Sequence, residues 1–271
     1  MRRTDPKPKV PIPHEHGAWA VLYSSFLVGW AATGRLHLTV IFLLTATTSL
    51  FLAHEPLIKL IRARKYGARA DNVRYWRKWF IVFTALAASA GLVLLLHYGL
   101  WVVIVPAGVA GMLFPLHVFL VAHRRDRSAP AEFLGIGGLT VSSALAYVGL
   151  TGHLQATAFL IWGFCLLYFG SGVFYVKMRI SRKLKPKEFE NRRNLCLGYH
   201  ILMLAVLLVC AFRFNISWLP LLGFLPILGR GFWHAFRSEG SLNLRRIGYL
   251  EVLYTVFFTI LMGAGALADG F

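Results

Sequence analysis

The sequence predicts an all-α protein, a polytopic membrane helical bundle of about nine transmembrane helices with its N-terminus in the cytoplasm. Hydrophobic residues make up 57% of the 271-residue chain, and the mean hydropathy is +0.61. A soluble domain is nearer about 45–50% apolar, so the excess indicates that lipid is the solvent. The apolar residues also fall in runs close to the roughly 20 residues that a helix needs to cross a bilayer.

Nine apolar segments account for most of the chain. Segments 1 and 2 are shorter than a bilayer requires, so their helices are expected to extend further. We interpret residues 1–16 as a basic cytoplasmic N-terminal segment and residues 17–271 as a single transmembrane domain. In chain order the segments are Gly17–Ala32, Leu38–Ala53, Trp79–Leu96, Leu100–Ala122, Glu132–Leu150, Ala156–Val176, Leu195–Phe212, Ile216–Phe232 and Ile247–Ala268.

Lysine and arginine determine the expected orientation of the bundle. With the N-terminus inside, all but two of the 29 lysines and arginines lie on the cytoplasmic side, and the exceptions are Arg35 and Arg213. This asymmetry follows the positive-inside rule and indicates the bacterial inner membrane. It also explains the net charge of +18 without a nucleic-acid partner. The lipid bilayer is therefore the expected partner, and no protein partner is indicated.

Basic loops and paired prolines are expected at matching places in the two halves of the chain. Long basic loops should follow segments 2 and 6, over residues 59–78 and 177–193. Segments 4 and 8 carry paired prolines, which are expected to interrupt their helices. Membrane helices interrupted at corresponding positions often mark a binding site. The proline pairs are Pro106 with Pro115 and Pro220 with Pro226.

Histidines and glutamates at the cytoplasmic ends of segments 1 and 2 are candidate catalytic groups. His14, Glu15 and His16 precede segment 1, and His54 and Glu55 follow segment 2. Imidazole and carboxylate groups at such positions could bind a divalent metal or a phosphate, or transfer a proton. We therefore predict that these five residues line one polar cavity that opens to the cytoplasm.

A larger set of residues is predicted to bind the substrate. Its members lie near the same cytoplasmic ends, and arginine in particular suits phosphate or carboxylate. Lys59 and Arg62 share one helix face, as do Tyr175, Arg179 and Lys183. The full set is Trp19, Lys59, Arg62, Glu132, Tyr175, Lys177, Arg179, Lys183, Asn191, Arg192, Arg193, His200 and Glu251.

Motifs that would identify a common enzyme class are absent from the sequence. It contains no P-loop, no GxGxxG that opens a dinucleotide-binding unit, no HExxH and no GxSxG. Cys165, Cys196 and Cys210 have no spacing typical of a metal site or a disulfide framework. The identity of any cofactor or metal is therefore left open.

Four stretches of the sequence resemble the YwiC-like family of bacterial membrane proteins. They are PHEHGAW from Pro13, HEPL from His54, EFLGIGGLTVSSALAYVGLTG from Glu132 and FGSGVFYVKMRI from Phe169. The resemblance runs over most of the chain, and HEHGAW is its most specific part. It implies a multi-pass membrane protein and little about activity.

The arrangement of the segments is also similar to that of the UbiA superfamily of intramembrane prenyltransferases. That resemblance implies nine helices, a cytoplasm-facing cavity and Mg²⁺-bound prenyl diphosphate, held by Asp-rich motifs at the ends of helices 2 and 6. This sequence has Glu55 and then Lys59 at the first position, and Tyr175, Arg179 and Lys183 at the second. We therefore expect a UbiA-like bundle that lacks these motifs and holds an anion directly with arginine and lysine.

Three functions are compatible with these observations. The first is an enzyme or enzyme-derived binder that acts on a phosphate-bearing or other anionic amphiphile, such as an anionic lipid or an isoprenoid-type ligand. The second is a protein that handles or transports a metal or haem through its histidines. The third is a membrane assembly or scaffold protein whose basic loops contact anionic lipid or a partner.

Overall fold

A computed structural model describes residues 10–13, 15–123, 128–214, 216–237 and 244–269. For His16, Leu244, Arg246 and Asp269 it describes the backbone alone. The described residues form helices joined by short connections, and none of them lies in a β-strand. The all-α prediction is therefore confirmed.

The helices follow one another closely along the chain. The π-helical turn Val93–His97 continues α3, and the 3₁₀ turn Trp101–Val103 leads into α4. The α-helices are α1 (His16–Ala31), α2 (Thr39–Tyr66), α3 (Ala70–Leu92), α4 (Ile104–Ala122), α5 (Ala129–Thr151), α6 (Ala156–Leu184), α7 (Pro186–Phe214), α8 (Trp218–Leu222), α9 (Leu225–Phe236) and α10 (Leu244–Asp269).

The lengths and apolar character of these helices match a polytopic membrane protein. Among the described residues, 7 helical stretches are long and apolar enough to cross a membrane. They belong to α2–α7 and α10, while the apolar stretch Gly17–Ala31 in α1 is shorter. The protein is thus an all-α, multi-pass membrane bundle, and the total of nine spans stays a prediction.

The two proline pairs have different effects on their helices. Segment 8 is interrupted as expected, since α8 ends at Leu222 and α9 starts at Leu225, with Pro226 in its first turn. Segment 4 is not interrupted, and that prediction was wrong. Pro106 lies in the first turn of α4, where backbone N–H groups have no partner within the helix, and α4 continues through Pro115.

The two predicted basic loops are largely helical, which corrects the expectation from the sequence. Helix α2 continues through Tyr66 and ends at Gly67, whose φ of +78° suits glycine. Helices α6 and α7 are separated by Lys185 alone. Lysine, arginine and glutamate are good helix formers, so the helices extend beyond their apolar parts.

Helix α5 is the central helix of the bundle. It contacts α1, α2, α4 and α6, and its buried face consists mainly of glycine, alanine, serine and threonine. Ser142 donates a hydrogen bond of 3.0 Å to the carbonyl oxygen of Leu22 in α1. Gly29 of α1 lies so close to Ser143 that a Cβ at Gly29 would overlap the Ser143 carbonyl oxygen. Small side chains therefore let the α1 and α5 backbones approach each other.

The other helices are arranged around α5 in two groups. Helix α2 contacts α3 and α4, whereas α6 contacts α7 and α9, and α10 contacts α1 and α8. The second group is held by aromatic packing, in which the rings of Tyr168 and Phe258 stack with centroids 3.9 Å apart. Phe224 packs edge-on against both rings. This packing brings α9 and α10 beside α6, where one of the sites described below is found.

We expect Gly29→Ala to destabilise the bundle, because the added methyl group forces α1 away from α5. Overpacking of this kind costs about 1–3 kcal/mol. The matched control is Gly138→Ala in α5, where an added Cβ meets nothing within 4 Å. Thermal unfolding of the detergent-purified variants should show a lower midpoint for Gly29→Ala alone. Equal midpoints for the two variants would contradict this packing.

Candidate functional site

Most charged side chains of the described residues gather at one end of the bundle, which we call the basic end. It comprises the C-terminal ends of α2, α4, α6 and α9 and the N-terminal ends of α3, α5, α7 and α10. Among the described lysines and arginines, Arg35 and Arg213 lie elsewhere. The candidate residues at this end form two separate clusters.

The first cluster is a pair of imidazoles from α2 and α4, called here the imidazole pair. The ring centroids of His54 and His117 are 5.2 Å apart, with 32° between the ring planes. Nδ1 of His117 lies 2.9 Å from the carbonyl oxygen of Ala131 in the first turn of α5 and donates to it. Gly135 provides space for this ring, since a Cβ there would lie 2.9 Å from Cε1 of His117.

Charged residues surround the imidazole pair. Arg62 donates a 2.9 Å hydrogen bond to the carbonyl oxygen of Val121 near the end of α4, and its charge also acts on His54. Glu55 pairs with Lys59 of the same helix at 3.1 Å. Helix α2 thus places three predicted residues beside His54, but Glu55 and Lys59 mainly neutralise each other.

The residues before α1 lie against the bundle. The indole N–H of Trp19 donates to the carbonyl oxygen of Pro13 at 3.2 Å, and its ring packs edge-on against Phe51 of α2 at 4.7 Å. The exposed Glu15 interacts electrostatically with His117. His14 and the side chain of His16 lie outside the described part of the chain, so their predicted roles remain predictions.

The second cluster lines a small cleft between α6, α9 and α10, called here the Arg230 cleft. Arg230 of α9 lies at its centre, with 6% of its side chain exposed, and is paired with Glu251 of α10. The guanidinium carbon is 4.3 Å from the ring centre of Tyr175 and 5.6 Å from that of Tyr254. The lining residues are Tyr175, Arg230, His234, Ile247, Leu250, Glu251 and Tyr254.

The interactions of Arg230 explain how a charge is accommodated in this part of the bundle. A buried guanidinium is unfavourable unless an opposite charge and further contacts compensate for lost water. Glu251 supplies the charge, and the two tyrosine rings supply cation–π contacts. His234 follows one turn later in α9, where its Nδ1 donates to the carbonyl oxygen of Arg230 at 2.9 Å. Its ring centre is 5.7 Å from that of Tyr175.

An ion pair joins α5 to α6 at the basic end. Glu132 of α5 accepts a 2.6 Å contact from the ammonium group of Lys177 in α6. Glu132 follows Ala131, which accepts the hydrogen bond from His117, and Lys177 is two residues beyond Tyr175. The N-terminal turn of α5 therefore contacts α4 through Ala131 and α6 through Glu132.

The remaining predicted residues lie in different surroundings. Arg179 is buried one turn after Tyr175, while Lys183 and Asn191 are exposed. His200 is fully buried against Gly231, with Nδ1 2.7 Å from the carbonyl oxygen of Cys196. Arg192 and Arg193 pair with glutamates of their own helix, Glu188 at 3.3 Å and Glu190 at 3.2 Å.

The described residues do not converge on one cavity as the sequence suggested. Glu55 belongs to the surroundings of the imidazole pair, whereas Tyr175 and Glu251 line the Arg230 cleft. Exposed ion pairs within one helix, such as those of Arg192 and Arg193, are worth little and identify no site. The predicted set is thus distributed over the two clusters, the Glu132–Lys177 pair and several unrelated positions.

Comparison with known proteins assigns the chain to a family. A family model described as YwiC-like protein matches residues 12–148, about half of the chain. The chain belongs to the YwiC-like protein family. It is also similar to the protein named "Uncharacterized protein YwiC" of Bacillus subtilis (strain 168), with 26% identity over 266 residues that cover 94% of this chain and 97% of that protein. No solved structure matches the chain.

The structure identifies residues that the sequence reasoning left out of the candidate set. His117 completes the imidazole pair, and Arg230, His234 and Tyr254 complete the cleft. Arg230 could have been found, because it is a charged residue inside an apolar segment and such residues are usually functional. The family match of this YwiC-like protein contains His117 but ends before Arg230.

A preformed cage of metal ligands is absent from the described residues. No three histidine, cysteine, aspartate or glutamate side chains in the described part of this YwiC-like chain lie close enough together to hold a metal ion. The Arg230 cleft offers one carboxylate, in contrast to the several acidic oxygens that Mg²⁺ or Ca²⁺ requires. The chemistry of the cleft therefore favours an anion over a cation.

We expect Glu251→Gln to destabilise the protein, because it leaves the buried Arg230 guanidinium without an opposite charge. An unsatisfied buried polar group costs about 1–3 kcal/mol, and more when it is charged. The thermal unfolding midpoint in detergent measures this loss. Glu188→Gln is the matched control, since Glu188 is exposed and pairs with Lys185 and Arg192, and we expect no measurable change. A similar shift for both variants would argue against a structural ion pair in the cleft.

Proposed function

We propose that this YwiC-like protein is an enzyme or enzyme-derived binder that holds a phosphate-bearing or other anionic amphiphile at the cytoplasmic face of the bacterial inner membrane. The anionic group of the headgroup reaches Arg230 at the mouth of the Arg230 cleft. The observation that carries the proposal is the buried guanidinium of Arg230 beside this small cleft at the basic end. The cytoplasmic placement follows from the positive-inside rule.

The local charge favours an anionic ligand. Arginine presents a planar fork of N–H donors that fits phosphate and carboxylate groups. Between Lys177 and Arg193, the end of α6 and the start of α7 contain eight lysines and arginines against two glutamates. Excess positive charge of this kind raises the local concentration of anions. The headgroup is thus attracted first to this surface and then to Arg230.

The two partners of the Arg230–Glu251 pair differ in exposure to solvent. The side chain of Arg230 is 6% exposed, whereas that of Glu251 is 31% exposed. An anionic group therefore approaches the guanidinium from the side of Glu251 and competes with this carboxylate. His234 lies one turn away, where an imidazole can donate a hydrogen bond or a proton to a phosphate.

The apolar wall of the cleft supports an amphiphile over a free anion. Ile247, Leu250 and Tyr254 line it beside the charged residues. The exposed apolar side chains of α10 continue from Leu250 through Leu253 and Phe257. Their spacing of three and four residues places them along one face of the helix. A hydrocarbon tail held at the cleft can lie along this face within the lipid.

The double variant Arg230→Gln/Glu251→Gln tests the proposal. It removes both charges together, so no buried charge is left unpaired, and it should weaken binding of dioctanoyl phosphatidic acid at least 10-fold. Arg237→Gln is the control, because Arg237 is exposed and stacks on Trp233 at 4.0 Å outside the cleft lining. Native mass spectrometry of detergent-purified protein measures the bound lipid.

Three further arms of this experiment define the ligand. Dioctanoyl phosphatidylcholine should bind more weakly than the phosphatidic acid because its headgroup carries no net charge. Inorganic phosphate should also bind more weakly, since it has no tail. EDTA should leave the binding unchanged. The proposal fails if the double variant retains full affinity or if binding requires Mg²⁺. Equal binding by the wild type, the double variant and Arg237→Gln would instead favour a scaffold role at the basic surface.

A further inference from the structure

The imidazole pair is a second site, separate from the Arg230 cleft and independent of the proposed function. We propose that His54 and His117 bind a divalent transition-metal ion such as Zn²⁺ through their ε nitrogens. The proposal rests on three observations: the separation of the two rings, the hydrogen bond of His117 and the unpartnered nitrogen of His54.

The separation of the rings matches two imidazoles on one tetrahedral ion. A Zn–N bond is about 2.0–2.1 Å, which places the ring centroid about 3.2 Å from the metal and two such centroids about 5.2 Å apart at the tetrahedral angle. The observed centroid distance between His54 and His117 is 5.2 Å. The spacing of the two rings is therefore compatible with one ion bound between their ε nitrogens.

The ring nitrogens have the hydrogen bonding expected of metal ligands. A histidine that binds a metal through one nitrogen usually donates its other N–H to a carbonyl or carboxylate. His117 does so through Nδ1 to Ala131 at 2.9 Å, which leaves Nε2 as the ligand. Nε2 of His54 is buried and has no hydrogen-bond partner among the described residues. A buried nitrogen without a partner is costly, and a metal would satisfy it.

Neighbouring groups hold the rings and adjust the local charge. The ring of His117 packs closely against the backbone at Gly135, and Phe114 packs edge-on against His54 at 5.8 Å. The charge of Arg62 opposes a cation near His54, whereas Glu15 acts on His117 with the opposite sign. No third ligand is in place among the described residues, and we assign this role to the exposed Glu15, which metal binding would draw towards His117. Water completes the coordination.

Titration of Zn²⁺ into protein purified without a histidine tag tests this site. We expect one equivalent to bind, with at least 10-fold weaker affinity in His54→Asn and in His117→Asn. Asparagine at position 117 retains an N–H donor near the δ position for Ala131 but has no ε nitrogen. The matched control is His123→Asn. The Nδ1 of His123 also donates to a backbone carbonyl, that of Phe119 at 2.7 Å, but this histidine is exposed at the end of α4.

A second readout separates metal binding from folding. Saturating Zn²⁺ should raise the thermal midpoint of the wild-type protein and of His123→Asn, because a ligand stabilises the state that binds it. It should not raise the midpoint of His117→Asn, even if that variant is as stable as the wild type without metal. Absence of stoichiometric binding in the wild type, or unchanged affinity in both His54→Asn and His117→Asn, overturns the proposal. Neither result bears on lipid binding at Arg230.

Discussion

The close packing of helix α5 is the constraint on which the rest of the structure depends. Its small side chains allow α1 to approach at Gly29 and α2 to place Leu43 against Gly149. Larger side chains at these positions would keep the helices further apart, since the axes of packed helices are ordinarily about 8–10 Å from each other. At the opposite end of α5, its N-terminal turn contacts α4 through Ala131 and α6 through Glu132.

The two clusters at the basic end differ in chemistry although they share this support. The imidazole pair presents nitrogen ligands with a nearby carboxylate, and the Arg230 cleft presents a guanidinium between two phenol rings. The imidazole nitrogens suit a metal cation, and the guanidinium suits an anion. In each case the ligand must replace the water that the buried group has lost. Within each cluster the charges are also paired locally, Glu55 with Lys59 and Arg230 with Glu251.

Hydropathy predicted which segments of the chain are helical better than where those helices end. The ninth segment is recovered in α10, and α5 and α6 contain segments 5 and 6. The apolar run of segment 2 stops at Ala53, yet α2 continues to Tyr66. The length of an apolar run depends on the thickness of the hydrocarbon layer. A helix can extend beyond that layer, because lysine, arginine and glutamate are good helix formers. The basic stretches were consequently mistaken for loops.

The sequence alone determined that the chain is an all-α membrane protein of the YwiC-like family, because hydropathy and family motifs are properties of consecutive residues. It also indicated the end of the bundle that carries the polar groups. The tertiary structure decided which groups meet: His54 with His117, Lys177 with Glu132 and Arg230 with Glu251. Each pair joins side chains of two different helices. Their contact depends on how the helices pack around α5, which no local pattern of residues specifies.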